Sequence, residues 1–405
     1  MFGVLRNRRG KAPVFRRGMQ APAFAFIIQW YLVNSYYVDI QVKLYSSKRN
    51  RKIDAMLLEA CFVWNHALAL QRRYYCLFDG YIGLNTMQKH FAKRIRRCRL
   101  HSQTVQEILE RLDSSYQRFF LHLSARPPKF KRAEQFRSIV YKQGGFKLDS
   151  NVLVLNSIKQ HFQFSYSRPW EGQVKQIRIR RSPLGEYYLN IVTDAVAQSR
   201  RKTHDGASVG MDFGLKTYLT LSDGTRIENP LFLRQGLSDL RKASRRLFRS
   251  GKDSARRLAA RLALDRIHEE ITNRRDDWQW KLAHELCRAY DTLCVEDLQL
   301  TGMSRLWGRK MADLAYGSFM QKLEHTAVKY GCEVRKVDRY YPSSRTCGCC
   351  GYVYEHLDLC DRQWTCPQCG TTLDRYVNAA TNIMRQGVAS SGSPRKTKVT
   401  LRKGR

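Results

Sequence analysis

The chain has 405 residues, enough for two or three domains with cores of their own. Its 72 Lys and Arg outweigh 35 Asp and Glu, a formal charge of +37 that runs the whole length, while aromatic residues make up 11%. That aromatic content excludes a coreless basic tail, and the charge excess is unsuited to a free globular surface. The combination fits a protein that wraps a polyanion and releases its counterions.

Residues 1–35 open with Arg6, Arg8, Arg9, Lys11, Arg16 and Arg17, then an apolar run from Ala21 to Val33 broken by Gln29. The order has the look of a signal peptide, but the run is too short to span a bilayer. From Tyr37 to Tyr45 polar and apolar residues alternate, which predicts a strand. Ile53, Met56, Leu57, Ala60, Cys61, Trp64 and Leu68 then recur at helical spacing. A second apolar stripe runs Val105, Ile108, Leu109, Leu112, Tyr116, Phe119, Phe120 and Leu123. Both stripes read as core. Between them Lys89, Lys93, Arg94, Arg96, Arg97 and Arg99 form a basic segment suited to a phosphate backbone.

Pro127 and Pro128 end the helical part, with Lys129 and Lys131 just beyond as further candidates for phosphate contacts. From Phe136 the pattern becomes short β runs: Val152–Leu155, Phe162–Tyr166, Val174–Ile179 and Tyr187–Val192, separated by Gly, Pro and Asp-Ser-Asn turns. These predict a small antiparallel barrel that the strand at 37–45 completes, with the helices inserted in it. Lys175, Arg178, Arg180 and Arg181 give its strands a basic face. Residues 199–206 read as a linker. Val209–Thr225 reads as strand, tight turn, strand and Asp-Gly turn, with Asp212 on the first strand. Residues 235–290 are helical and strongly basic, with Arg241, Arg245 and Arg256 among the cations. Asp291–Leu298 predicts a strand ending at Glu296. Met311–Tyr330 predicts a helix, and Glu333–Val337 a last strand.

Two CxxC knuckles follow, Cys347/Cys350 and Cys366/Cys369, each closed by a glycine that permits the tight turn. At this separation four thiolates can surround one structural Zn²⁺, as in a zinc ribbon. Cys349 and Cys360 read as bystanders, with Cys349 a competitor of Cys350 for the metal. The remaining cysteines of the 12 fit buried thiols of a reducing compartment rather than a disulfide framework. After the ribbon comes Leu373-Asp374-Arg375-Tyr376-Val377-Asn378-Ala379-Ala380-Thr381-Asn382-Ile383, with a helix predicted from Val377 to Met384. The end, 388–405, is rich in Ser, Gly, Lys and Arg and reads as a disordered basic tail.

Asp212, Glu296 and the segment after the ribbon, in this order, resemble the TnpB family, transposon-encoded RNA-guided relatives of the type V CRISPR effectors. Ile267–Lys281 resembles a further signature of that family. The likeness runs from residue 36 to about 387. It implies an α/β multidomain fold. A RuvC/RNase H-like domain (208–340 and 372–387) carries an inserted zinc ribbon (341–371). A β-barrel wedge (36–50 and 126–198) carries an inserted helical recognition lobe (51–125), with a linker at 199–207. Residues 1–35 then stand as an extension from an upstream start. The implied partners are a guide RNA and double-stranded target DNA, bound by a monomeric cytoplasmic protein, nucleoid-associated in a bacterium or archaeon, with no membrane involved.

The resemblance also implies three carboxylates holding two Mg²⁺ ions about 3.5–4 Å apart. Asp212 and Glu296 occupy two of those places, and Tyr376 stands where the third acid belongs. A tyrosine is neutral at pH 7 and too bulky for a metal position. Asp374, two residues upstream, points away if it lies in the helix and can reach if it lies in the loop before it. The two readings that follow are a guided binder that no longer cuts, acting as a repressor, and a nuclease with Asp374 as relocated ligand. A guide-free basic nucleic-acid protein is a third.

Overall fold

The computed structural model describes residues 38–94, 98–165, 169–195, 206–251, 254–358 and 361–389. Residues 1–35, Arg96, Arg97, Cys360, most of the linker and the tail from 390 onward lie outside them. The chain divides into two compact units, 1–196 and 197–405.

In the first unit, β1 (Val38–Lys43) pairs antiparallel with β7 (Tyr187–Thr193), and the sheet continues through β6 (Val174–Arg181) to β2 (Ser138–Lys142). A second, three-stranded sheet holds β3 (Phe146–Asp149), β4 (Val152–Leu155) and β5 (Gln160–Gln163). A bridge between Leu44 and Phe164 joins the sheets. Between β1 and β2 the chain forms α1 (Asn50–Phe78), α2 (Leu84–Arg94) and α3 (Ser102–Phe120). One continuous core contains Ile53, Trp64 and Leu68 of α1, Ile108 and Tyr116 of α3, and Tyr141, Phe164, Ile179 and Ile191 of the strands. The predicted stripes therefore do pack inward. The first strand pairs with the end of the β region although three helices intervene. α2 was not foreseen as a helix, because its apolar positions are masked by basic residues. Leu123 lies past the end of α3 and is exposed, so it does not belong to the predicted stripe. α1 is long and apolar enough to cross a membrane, but half of its most apolar window is buried in this core.

In the second unit, β8 (Ser208–Phe213), β9 (Thr217–Leu221) and β10 (Arg226–Glu228) form an antiparallel meander, and β11 (Thr292–Glu296) and β12 (Glu333–Val337) extend it parallel to β8. The strand order is β10-β9-β8-β11-β12. The basic stretch, helical as expected, forms α4 (Phe232–Arg249) and α5 (Ala255–Ala289), with Ser254 capping the second. The helix expected at 311–330 is also broken, because Ala315 turns left-handed (φ 46°) between α6 (Leu300–Leu314) and α7 (Tyr316–Tyr330). A short hairpin, β13 (Gln363–Thr365) and β14 (Thr372–Asp374), leads straight into α8 (Arg375–Ala389).

Side-chain alternation on the parallel strands sorts the layers. Val209 and Met211 of β8, with Leu293 and Val295 of β11, join the core beneath α5 and α7. The intervening positions, Gly210 and Asp212, Cys294 and Glu296, face the other way. There Cys294 packs with Val337 and with Ile383 of α8. Gly210 is required by that contact, since a Cβ on it would collide with the Ala380 carbonyl of α8. The sheet is thus sandwiched, and both acids lie on the α8 side.

Candidate metal centre and carboxylate site

Asp212 and Glu296 sit at the carboxyl ends of neighbouring parallel strands. Gly210 aligns with Cys294 and Met211 with Val295, so one further step sets Asp212 beside Glu296 on the same face. Asp212 is crowded although partly open to solvent. Burial, then repulsion from Glu296, raises its pKa to about 7, with Arg375 opposing both. Glu296 is raised as well, by burial and then by Asp297. A crowded Asp212 raised by the Glu296 charge beside it makes the two carboxylates a cation-seeking pair. Tyr316, at the start of α7, donates to the Gly214 carbonyl beside this pair, and burial followed by the Asp212 charge raises its pKa. Neither Tyr316 nor Arg375 stands out in the sequence as part of the site.

Position 376 lies one helical turn before Ala380, whose carbonyl closely approaches Gly210 of β8. The residue there is Tyr376. Its hydroxyl accepts from Arg362 of the ribbon, whose guanidinium lies 5.4 Å from the ring centroid. Asp374 is not in the helix. It ends β14, and its Oδ1 caps α8 by accepting from the backbone N–H of Tyr376 (3.1 Å) and Val377 (3.0 Å). Its Oδ2 accepts from Arg226 at 2.7 Å. The helix-phase argument therefore does not apply to Asp374; what occupies it is the cap and the ion pair. Among the described residues, no third acid joins Asp212 and Glu296 in a cluster of metal-ligand geometry.

The four knuckle cysteines do form such a cluster, with Sγ atoms all within 4.8 Å of one another. The Cys347–Cys369 and Cys350–Cys366 separations are 3.7 and 3.6 Å. A tetrahedral zinc with Zn–S bonds of about 2.3 Å sets its sulfurs roughly 3.8 Å apart, so the donor set fits. Each knuckle turns on a left-handed glycine, Gly351 (φ 78°) or Gly370 (φ 71°). Cys349 is exposed and outside the cluster. Tyr354 stacked on Trp364, with Leu357, gives the ribbon a small core.

The asparagines after the ribbon tie it to α8. Asn378 accepts from Gly348 N (2.8 Å) and donates to Thr346 O (2.7 Å), and Asn382 donates to Ser343 O (2.9 Å) and Thr346 O (2.7 Å). Both are buried, as are the alanines that let α8 approach the sheet. The motif is thus a clamp between the first knuckle and the first turns of α8.

The basic candidates fall into groups. Lys89 and Lys93 are exposed on α2, and the Arg94 side chain lies outside the described set. Arg178 and Arg180 are exposed on β6, alternating with buried Ile177 and Ile179. Arg241, Arg245 and Arg256 are exposed on the α4–α5 hairpin. Lys129 is exposed, but its carbonyl accepts from Trp64 Nε1. Lys131 differs from the rest: its ammonium lies 3.7 Å from the Trp64 ring centroid and burial lowers its pKa, so it is a packing residue rather than an open phosphate contact.

Residues 190–306 match a family described as OrfB_IS605, probable transposase, and residues 316–383 match one described as Cas12f1-like, TNB domain. A Streptomyces pristinaespiralis protein named "Putative RNA-guided DNA endonuclease" is 34% identical over 295 residues, 72% of each chain. InsQ of Escherichia coli (strain K12), which bears the same description, is 28% identical over 356 residues, 82% of this chain and 87% of its own. The solved Cas12f1–sgRNA–target DNA complex superposes with a TM-score of 0.53 over 86% of this chain and 98% of Cas12f1; at 14% identity this establishes a shared mixed α/β fold. Paired acids on adjacent strands, a four-cysteine ribbon locked to the closing helix, and identity of this extent together establish that the chain belongs to the TnpB family.

Proposed function

We propose that this chain is an RNA-guided DNA-binding protein that engages guide-matched duplex DNA beside a short flanking motif and acts by occupancy, as a transcriptional repressor, without cutting. The carrying observation is the third position of the carboxylate site, where Tyr376 turns its hydroxyl to Arg362 and the nearest acid, Asp374, is committed to a helix cap and to Arg226. Cutting in a RuvC-like site needs metal ions to stabilise charge on the attacking and leaving oxygens. Mg²⁺ demands near-octahedral oxygen ligands, and two carboxylates hold it weakly. Binding needs none of this. Pairing with the guide supplies the sequence, while the protein reads backbone shape and the flanking motif. The charge of +37 suits that task.

In this reading Zn²⁺ is held by Cys347, Cys350, Cys366 and Cys369 and is structural, since four protein thiolates leave no open position for chemistry. Asp212 and Glu296 are remnants that bind a divalent cation weakly. The protein works in the cytoplasm on the nucleoid. The protein purified from its host, with bound RNA sequenced, tests this reading: a discrete RNA species whose guide segment selects the DNA bound, with affinity unchanged when Mg²⁺ is replaced by an equivalent ionic strength of monovalent salt, is expected. Heterogeneous RNA that salt strips away would overturn it in favour of guide-free binding.

A further inference from the structure

The α4–α5 hairpin carries a feature that neither the carboxylate site nor the ribbon uses. α4 packs on α5 through Gly236, Leu240, Ala243 and Leu247, which recur every three or four residues; Leu240 is buried, and a side chain at Gly236 would strike Ile271. The opposite face carries Arg234, Arg241, Arg245, Phe248 and Arg249, all exposed. Steps of seven, four and three residues keep the first four in one stripe, about 21 Å from Arg234 to Phe248 at 1.5 Å per residue. None of these arginines makes an ion pair among the described residues; the nearby acids are bound elsewhere, Asp239 to Lys242 and Asp265 to Arg261.

Phe248 ends the stripe at 89% exposure, the most open large apolar side chain described. It is not on a frayed end. Arg257 reaches back from α5 to donate to the carbonyls of Leu247 (3.2 Å) and Ser250 (3.0 Å), and Ser254 caps α5 by accepting from Arg257 N (3.1 Å). The last turn of α4 is pinned, so the ring is held outward. An aromatic ring fixed in water at the end of an unpaired cationic row has the layout of a single-strand platform, in which cations track phosphates and an unstacked base lies on the ring.

We propose that this face binds an unpaired segment of the guide RNA, with Arg234, Arg241 and Arg245 on successive phosphates and one base stacked on Phe248. The assignment rests on the guided-binder reading above. RNA, rather than the displaced DNA strand, is the occupant because it accompanies the protein throughout, whereas the displaced strand exists only on target. An unpaired cationic row of this length favours a polyanion that stays bound whether or not target is present.

The test uses the full chain purified with its RNA. Ultraviolet cross-linking and peptide mapping place a nucleotide adduct on Phe248 before any DNA is added. Phe248→Ala abolishes the adduct, exposes one unpaired nucleotide to chemical probing and raises the Kd for the RNA roughly 5- to 150-fold, whereas Phe248→Trp preserves all three. Arg241→Ser with Arg245→Ser flattens the slope of log Kd against log salt by about 1.4. Because Phe248 makes no core contact, unchanged thermal unfolding in Phe248→Ala separates binding from folding. Discrete RNA with the same footprint in wild type and Phe248→Ala overturns this assignment alone. An adduct that forms only after target DNA is added overturns it in favour of the displaced strand. Failure to recover discrete RNA overturns the guided-binder reading and this assignment with it.

Discussion

Replacing Asp374 by Ala and by Asn separates a structural carboxylate from a metal ligand. The Asp374 side chain accepts two N–H groups of the first turn of α8, at 3.1 and 3.0 Å, and pairs with Arg226 at 2.7 Å. Losing an N-cap to Ala costs about 0.5–2 kcal/mol. The ion pair, with side chains 50% and 23% exposed, adds only about 0.2–1 kcal/mol. Asp374→Ala should therefore lose roughly 1–3 kcal/mol. Asn caps as well as Asp, so Asp374→Asn should lose only the ion-pair part, about 0–1 kcal/mol. In a unit of this size 1 kcal/mol moves Tm by about 2–4 °C, so Ala lowers it by several degrees and Asn by little. Calorimetry of both variants, with Mg²⁺ or Mn²⁺ titrated into each, provides the check. If Asp374 is a cap, the variants differ in Tm and bind cations alike. Equal Tm with cation binding lost in both would refute the cap argument and make Asp374 the relocated ligand.

Asn382→Ala removes the bonds to Ser343 O and Thr346 O; Asn378 still serves Thr346, so the buried Ser343 carbonyl is the one left short of a donor, at a cost of about 1–3 kcal/mol, and the ribbon should open to protease while the first unit stays resistant. Cys347→Ser with Cys366→Ser should reduce zinc from one per chain to less than half by elemental analysis; full retention would sink the four-thiolate site. The pKa of Asp212 in the metal-free chain, raised from 3.8 to about 7, makes its contribution to stability greatest below pH 4 and lost as pH rises through 7. The Tm of Asp212→Asn minus that of wild type, in chelator, should accordingly increase from pH 5 to 8, and a flat difference would contradict a buried Asp212 beside the Glu296 charge.

The two strands were legible as short apolar runs, and Asp212 and Glu296 stood out because their order along the chain, ahead of the ribbon, resembles the family's motifs. The ribbon was legible because cysteine spacing encodes its geometry directly. What stayed hidden depends on contacts distant in sequence. No local pattern distinguishes Asp374 as a cap from Asp374 as a ligand; the Arg226 partner comes from a strand far upstream. The same holds for Tyr376, whose size suggests obstruction while its hydroxyl is drawn off by Arg362. Lys131 read as a phosphate contact because a sequence shows charge but not the Trp64 face beneath it. The break at Ala315 escaped periodicity because both flanking helices are apolar on compatible faces and no Gly or Pro marks the left-handed residue. Asn378 and Asn382 were visible as a motif, but their work as a clamp on the first knuckle appears only when helix and ribbon are brought together.

The central claim is that the guided complex holds its target without cutting it. The direct measurement incubates the purified RNA-bound protein with guide-matched duplex DNA carrying the flanking motif, in Mg²⁺ and in Mn²⁺, and scores binding and strand scission in the same reaction. The account predicts a stable complex with intact DNA, and Tyr376→Asp, which restores a carboxylate at the third position, is the variant in which scission should first emerge. Guide-dependent scission by the wild-type protein that Asp212→Ala abolishes would contradict the account and show that two carboxylates and Tyr376 suffice for a working site.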